Sequence, residues 1–543
     1  MATSLPHRHP SSSIAMRMSL CVAGIAMLAA MSLPAFPIDS PVSVNPTTMP
    51  AIGSVDSRFQ SYNIEMLEVT GGRFWKPYKD VSAAPARPLP SRGAPSTPAG
   101  MNPNLYEYRP PIDLSNSRLR KLSAALGPAY VRVSGTWANT TYFHDSARPA
   151  PATPPTGFNG VLTRTQWKGV VDFARAANAE IVTSFAISPG VRHADGLWTP
   201  DQARAFLDYT KSIGGNIAAA EFMNEPNLAM IGGAPRGYDA AAYAKDIDVF
   251  RPFLKETSPQ TLFIGPGSVA ESKSVALPAN LGILRSEDLL KATGAVFDAF
   301  SYHLYPAVSQ RCAALSPNGG TTAAAALTEE WFSRADTINA FYTDLRDRFD
   351  PGKPLWITEI ADASCGGNPW ASTFLDTFRY LDTHARLAQH GVRVILHNTL
   401  AASDYGLLDE KTFEPRPNYW TALLWHKLMG STVLRPPAQS VDNLNVYAQC
   451  ATGITGGVTI LAINADRTAS KTLALSAASE RYTLTTPDLE GTRVDLNGKE
   501  LKLGSNDSLP AITGVATRAG NIVLPPASIT FLTVRNAHNS ACH

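Results

Sequence analysis

Two glutamates in this 543-residue chain stand where paired carboxylates could do acid–base chemistry. Glu225 follows an apolar run in Glu221-Phe-Met-Asn-Glu-Pro-Asn227, and Glu359 closes another in Leu355-Trp-Ile-Thr-Glu359. Hydrolysis of a glycosidic bond with retention needs such a pair, about 5–5.5 Å apart, one as nucleophile and the other as acid and then base. The acid must hold its proton near neutral pH, and burial beside a like charge raises a carboxyl pKa enough to do so. A Glu-Pro pair alone is equally well explained as a helix start, because proline suits the first helical position. The Asn-Glu-Pro triplet is sharper. An amide at Asn224 can reach a sugar 2-hydroxyl, a bond that strengthens in the transition state.

Glu225 and Glu359 are far apart in sequence, so the fold must bring them together. From Phe59 to about Leu428, short apolar runs alternate with amphipathic stretches. The strand-like runs are Ser61–Leu67, Tyr130–Val133, Ile181–Ile187, Ala218–Phe222, Leu262–Gly265, Ala299–His303, Leu355–Thr358 and Val392–His397. Helices are predicted over Trp167–Ala177, Thr199–Ile213, Tyr238–Thr257, Glu329–Phe349 and Trp370–His390. Eight strands with interleaved helices predict an α/β protein with a (β/α)8 barrel, whose catalytic residues sit at the C-terminal ends of strands. Glu225 would end the fourth strand and Glu359 the seventh. The rival, an open doubly wound sheet, usually carries a Gly-rich phosphate turn after its first strand, and none is seen.

After about Gly430 the runs read as strands without helices between them, separated by turns such as Asn497-Gly498. An appended C-terminal β-sandwich over 431–543 is predicted, with the barrel over 56–430. Ala83–Pro111 holds eight prolines and is expected to be a long irregular loop between the first two barrel strands. His144–Gly160 is a second Pro-rich connection.

Formal net charge is +2, from 47 basic and 45 acidic residues. Both excess positives, Arg8 and Arg17, lie in the first 35 residues, which hold no Asp or Glu, so the remainder balances at 45 against 45. Such neutrality gives no footing for a nucleic acid or membrane-surface partner. Arg17, the apolar run Met18–Met31 and small residues near Ala35 predict a signal peptide over 1–35, too short to span a bilayer. No stable membrane insertion is expected after its removal, and the location is secreted or periplasmic. An uncleaved anchor is the alternative. Of five cysteines, Cys21 would leave with the signal, and an even number, Cys312, Cys365, Cys450 and Cys542, would remain, compatible with disulfides. No CxxC or His-Cys cluster suggests a metal, and the chemistry needs no cofactor.

The motifs now become specific. Tyr405-Gly-Leu-Leu-Asp-Glu410, Pro415-Arg-Pro-Asn-Tyr-Trp420, Leu428-Met-Gly-Ser-Thr-Val-Leu434, Leu207-Asp-Tyr209, Val494-Asp-Leu-Asn-Gly498 and Val534-Arg-Asn-Ala537 stand around the two glutamates. With them the chain resembles the heparanases and related β-glucuronidases of glycoside hydrolase family 79, over about residues 56–543. The resemblance departs in Ala83–Pro111 and in most helices. It implies hydrolysis of β-D-glucuronidic linkages with retention by a heparanase-like endo-enzyme acting on heparan sulfate-type glycosaminoglycans. The alternative is an exo-β-glucuronidase releasing terminal glucuronic acid, and the rival from another class is a carbohydrate-binding protein without catalysis. A monomer is expected.

Residue by residue, the resemblance makes Glu359 the nucleophile and Glu225 the acid/base. It gives Tyr305 a hydrogen bond to the nucleophile. Backbone N–H groups of Gly366 and Gly367, with Tyr405, would hold the uronic acid carboxylate; the family text is one residue shorter here, which leaves their register open. Glu65 and Thr136 match contacts to sugar hydroxyls, against surface or structural roles. His303 would line the cleft or pack beneath it. Cys450 and Cys542 have counterparts in the family and would form a disulfide, whereas a Cys312–Cys365 bridge is left open. A segment over 36–55 would add a strand to the sandwich. Endo action needs a cleft open on both sides with basic residues beyond the uronate, for which Arg192, Arg236, Lys273 and Arg311 are candidates. Animal members are cut after the second barrel strand to become active; the short His144–Gly160 predicts a fixed connection instead.

Overall fold

A computed structural model of the chain describes residues 41–80, 102–273, 282–316, 319–437 and 441–543. The predicted signal peptide over 1–35, and residues 83–101 of the first Pro-rich segment, lie outside the described residues. The predicted (β/α)8 barrel is borne out. Strands β1 (Gln60–Glu65), β2 (Ala129–Ser134), β3 (Ala179–Thr183), β4 (Ile217–Ala220), β5 (Leu262–Ser268), β6 (Ala299–Leu304), β7 (Leu355–Ile360) and β8 (Val392–His397) close into a barrel. Every neighbouring pair is parallel. After the strands come helices α1 (Ser117–Ala124), α2 (Arg164–Ala176), α3 (Asp201–Ser212), α4 (Ala240–Thr257), α5 (Ser286–Thr293), α6 (Glu329–Phe349), α7 (Phe374–Gln389) and α8 (Pro417–Leu428).

The two faces of each strand do different work, because side chains alternate along it. In β2, Val131 and Val133 pack outward into the main apolar core with the helices. Tyr130, Arg132 and Ser134 turn inward. Tyr130 belongs to a plug with Val182, Ala219, Ile264, Ala299, Trp356, Val394 and Leu396, which fills one end of the barrel. Two residues further along each strand the inward positions become polar: Arg132, Ser301 and Thr358 stand one layer above Tyr130, Ala299 and Trp356. Helix α2 shows the local logic of the outer ring. Thr163 and Gln166 form a capping box at its start, and Trp167, Val170, Val171 and Ala174 make its buried face.

Two further sheets pack around an apolar cluster that includes Val42, Leu434, Ile460, Leu473, Ile522 and Leu532. A larger antiparallel sheet runs from Ala51–Ser54 through Met429–Leu434, Leu444–Ala451, Val458–Asn464 and Ser528–Val534 to Ser479–Thr485. The smaller joins Val42–Val44, Lys471–Leu475 and Gly520–Leu524. A Cys450–Cys542 disulfide ties the C-terminus to the larger sheet. The Ala83–Pro111 expectation needs correction at its described end. Tyr106–Arg109 is a strand that pairs antiparallel with Gly72–Trp75, because two short aromatic segments can bury Phe74, Trp75 and Tyr106 together. Among the described residues no helix is long and apolar enough to cross a membrane.

Candidate active site

Glu359 lies in β7, whose alternation would turn it away from the barrel axis, since Trp356 and Thr358 already point inward. The register with β6 shifts between the pairs Tyr302–Ile357 and His303–Glu359, and with β8 between Ile357–Ile395 and Ile360–His397. A bulge of this kind re-aims a side chain, and here it delivers Glu359 to the interior. Tyr305 donates its phenol to Glu359 Oε1 at 2.5 Å. Arg132 Nη1 donates to Oε2 at 3.0 Å.

Glu225 lies beyond the strand that was expected to end on it. β4 stops at Ala220, and Glu225 precedes a short 3-10 turn at Pro226–Leu228 with φ 48° and ψ 64°. A non-glycine residue in this left-handed region is strained, and such strain persists only where the surroundings hold it. Asn139 supplies that hold: its Oδ1 accepts from the Asn224 N–H at 2.9 Å and its Nδ2 donates to the Asn224 carbonyl at 2.9 Å. The Asn224 side-chain oxygen accepts from Arg132 Nη2 at 2.7 Å, which fixes the amide and turns its nitrogen the other way.

His303 sits under both carboxylates, fully buried, with Nδ1 at 2.9 Å from Glu225 Oε1 and 3.7 Å from Glu359 Oε2. Burial alone would lower the His303 pKa, but Glu359 and Glu225 outweigh it and the pKa is raised. Burial raises that of Glu225, and Glu359 adds to it against the opposing bond from His303. Glu221, one turn of chain earlier, is wholly buried and kept ionised. Arg132, His303 and the hydroxyls of Thr358 and Ser301 overcome its desolvation. One oxygen of Glu225, one of Glu359 and a His303 nitrogen all lie within 4.8 Å of one another. A cation placed among them would compete with Arg132 for Glu359 Oε2.

The remaining candidate residues fall into two groups. Tyr405 joins the centre through Asn398, whose Nδ2 donates to the hydroxyls of Tyr305 at 3.0 Å and Tyr405 at 3.2 Å. Gly367 lies against Tyr405 and Asp362; a Cβ on it would stand 3.2 Å from the Tyr405 ring and 3.1 Å from Asp362 Oδ1. Gly366 is wedged between Trp75 and Ser403. Glu65 points inward from β1 with one buried oxygen unpartnered, and a Cβ on Gly135 would come within 1.6 Å of it. Burial, and then Glu359, push the Glu65 pKa well up, against Arg132. Thr136 opens the 3-10 turn Thr136–Thr140 and, among the described residues, makes no side-chain hydrogen bond to this cluster.

Two of the four cations expected near the cleft are not available. Arg192 is closed in an ion pair with Asp246 at 2.9 Å. Arg311 is buried, pairs with Asp404 at 2.7 Å and lies over the Tyr78 ring at 3.8 Å. Arg236 and Lys273 are exposed. Sequence reasoning missed Arg132, Asn139, Glu221 and Asn398. Arg132 left a signal, a lone charge inside the run Tyr130–Val133, which only an interior partner makes tolerable.

A parallel barrel whose mouth holds two opposed carboxylates, a phenol and a buried guanidinium defines the class: a (β/α)8 glycoside hydrolase. No protein-family profile matches the chain. It is 25% identical to a heparanase-like protein 1 of Arabidopsis thaliana, with 79% of this chain and 86% of that protein covered. It is 26% identical to a heparanase of Mus musculus (79% and 88% covered) and 26% identical to a hyaluronoglucuronidase of Hirudo nipponia (79% and 92%). Its fold matches that of a solved 4-O-α-L-rhamnosyl-β-D-glucuronidase from Fusarium oxysporum with a TM-score of 0.58, 13% identity and coverage of 91% and 100%. By sequence, the chain is similar to heparanases.

Proposed function

We propose that this enzyme cleaves β-D-glucuronidic linkages with retention, Glu359 attacking the anomeric carbon and Glu225 protonating the leaving oxygen. The observation that carries the reading is the approach of the two carboxylates, with oxygens within 4.8 Å of each other. That supports the short carboxyl spacing, about 5–5.5 Å, of a covalent glycosyl-enzyme mechanism over the about 6.5–9.5 Å of inversion. Glu359 is held by donors on both oxygens, Tyr305 and Arg132, which aim it. Glu225, its pKa raised by burial, holds the proton the leaving group takes. Asn224 faces the 2-hydroxyl, Glu65 and Thr136 serve other hydroxyls, and His303 orients Glu225. The N–H groups of Gly366 and Gly367 with the Tyr405 phenol receive the uronate.

The substrate is a glucuronic acid-containing oligo- or polysaccharide, in the first reading heparan sulfate cut internally by a monomer outside the cytoplasm. Two disulfides support an oxidising compartment. Release of terminal glucuronic acid is favoured by one observation, the locking of Arg192 and Arg311 in internal ion pairs, which removes two of the cations a sulfated chain would need. Sizing the products from heparan sulfate beside a chromogenic aryl glucuronide tests both. A falling chain length means endo action, monosaccharide alone means exo action, and no turnover of either substrate overturns the proposal.

A further inference from the structure

Cys365, Gly366 and Gly367 adopt φ of 61°, 82° and 85°. Positive φ at all three marks a turn, and successive backbone N–H groups in a turn can make a nest for an anion. None of those three N–H groups meets a protein acceptor among the described residues, although Gly366 and Gly367 are buried. Buried N–H groups almost always find a partner, so the segment is shaped for a ligand. Their carbonyls are tied back: Ser403 Oγ donates to the Gly366 oxygen at 3.1 Å and Ser309 Oγ to the Gly367 oxygen at 2.6 Å. Glycine occupies this conformation freely, but Cys365 carries a Cβ that opposes it. What holds Cys365 there is its neighbourhood. It is disulfide-bonded to Cys312, Ser364 N–H donates to the Ala307 carbonyl at 3.0 Å, and Ser309 N–H donates to the Ser364 carbonyl at 3.2 Å.

We infer that the Cys312–Cys365 disulfide is a specificity-positioning element, which holds the backbone nest in shape to receive the substrate's carboxylate. This rests on the glucuronide reading of the site. The loop after β6 thereby sets recognition made by the loop after β7, while Glu225 and Glu359 stand outside the staple. Binding of a uronide depends on the bond; hydrolysis as such does not.

The test compares KM and kcat for aryl β-glucuronide and aryl β-glucoside in the wild type and in the Cys312→Ser/Cys365→Ser pair. KM for the glucuronide should rise about tenfold, the size of one weakened hydrogen bond to a charged group. KM for the glucoside and kcat for both should stay within about twofold, a change too small for a lost bond of that kind. Ser309→Ala, which keeps the disulfide, should shift the same KM in the same direction and stands in if the pair does not fold. Cys450→Ser/Cys542→Ser should lower Tm and leave the glucuronide-to-glucoside ratio unchanged. Equal losses on both substrates, or an unchanged ratio in the pair and in Ser309→Ala, overturn the inference. A wild type with no preference for the glucuronide would instead overturn the reading of the site on which it rests.

Discussion

Arg132 reaches from β2 to donate to Glu359 Oε2 at 3.0 Å. The same guanidinium holds Asn224 at 2.7 Å and Glu221 at 2.8 Å, so one buried cation sets the charge of the site and the place of its amide. Arg132→Lys keeps the charge but not the fork. It should fold, with kcat lower by about a hundredfold or more, the scale on which a 1 Å misplacement acts. Arg132→Met would leave two buried carboxylates without their countercharge and should destabilise the fold by about 3–5 kcal/mol. Thermal melts with steady-state kinetics check both. Wild-type kcat in Arg132→Lys would show that the fork is not needed.

Glu225 and Glu359 should separate by role. An activated aryl leaving group needs little protonation, so Glu225→Ala should accumulate glycosyl-enzyme, visible by intact mass, and azide should restore turnover as a β-glucuronyl azide. Glu359→Ala should form no intermediate. An active Glu359→Ala enzyme without added nucleophile would refute the assignment.

Tyr405→Phe removes one donor from the expected uronate site. The loss should fall on glucuronides and not on matching glucosides, by about 1.5–3 kcal/mol for a hydrogen bond to a charged group. Parallel kcat/KM measurements decide, and equal losses would place Tyr405 outside carboxylate recognition.

Asp362 should make stability depend on pH. Burial, and then the charge of Asp376, push its carboxyl up to about 7, against Arg379 and the N–H of Asn368. The folded state thus keeps a proton that the unfolded chain releases near 3.8. Its stabilising share is full below about 3.8 and is lost as pH rises through 7. Asp362→Asn should therefore flatten the fall of Tm between pH 4 and 7, a window set by those two pKa values. An unchanged slope in the variant would assign the dependence elsewhere.

An intact chain should be active without cleavage in His144–Gly160. That segment leaves the strand Thr141–His144 and returns at Gly160–Thr163, which pairs with it in parallel, and Arg164 is bonded to Asp145 at 2.7 Å. Activity measured beside a mass spectrum of the uncut protein is the check. Activity that appears only after a cut there would sink the idea.

Much of the barrel is legible in the sequence because alternation and helical periodicity are local properties. Val392–His397 coincides with its strand to the residue. Helices α1 and α5, eight residues each, are too short to show a stripe, and α8 escapes because it is buried on nearly every side and shows no polar face. α7 begins at Phe374 instead of Trp370, after a turn closed by the Thr373 N–H on the Trp370 carbonyl at 3.0 Å.

Within the site, the residue types point to the chemistry: Asn-Glu-Pro after one apolar run and a glutamate closing another are readable from the sequence. What brings them to bear is not. Glu359 faces the interior only because β7 slips register against both neighbours, and Glu225 is aimed by a left-handed backbone that Asn139 holds from another strand's loop. Arg192 and Arg311 look free in the sequence and are spent on Asp246 and Asp404 in the fold. Each of these outcomes depends on a partner 54 to 93 residues away along the chain. Local pattern determines which elements form and which side chains they carry; only closure of the barrel, which sets the distances between strands, decides which charges meet.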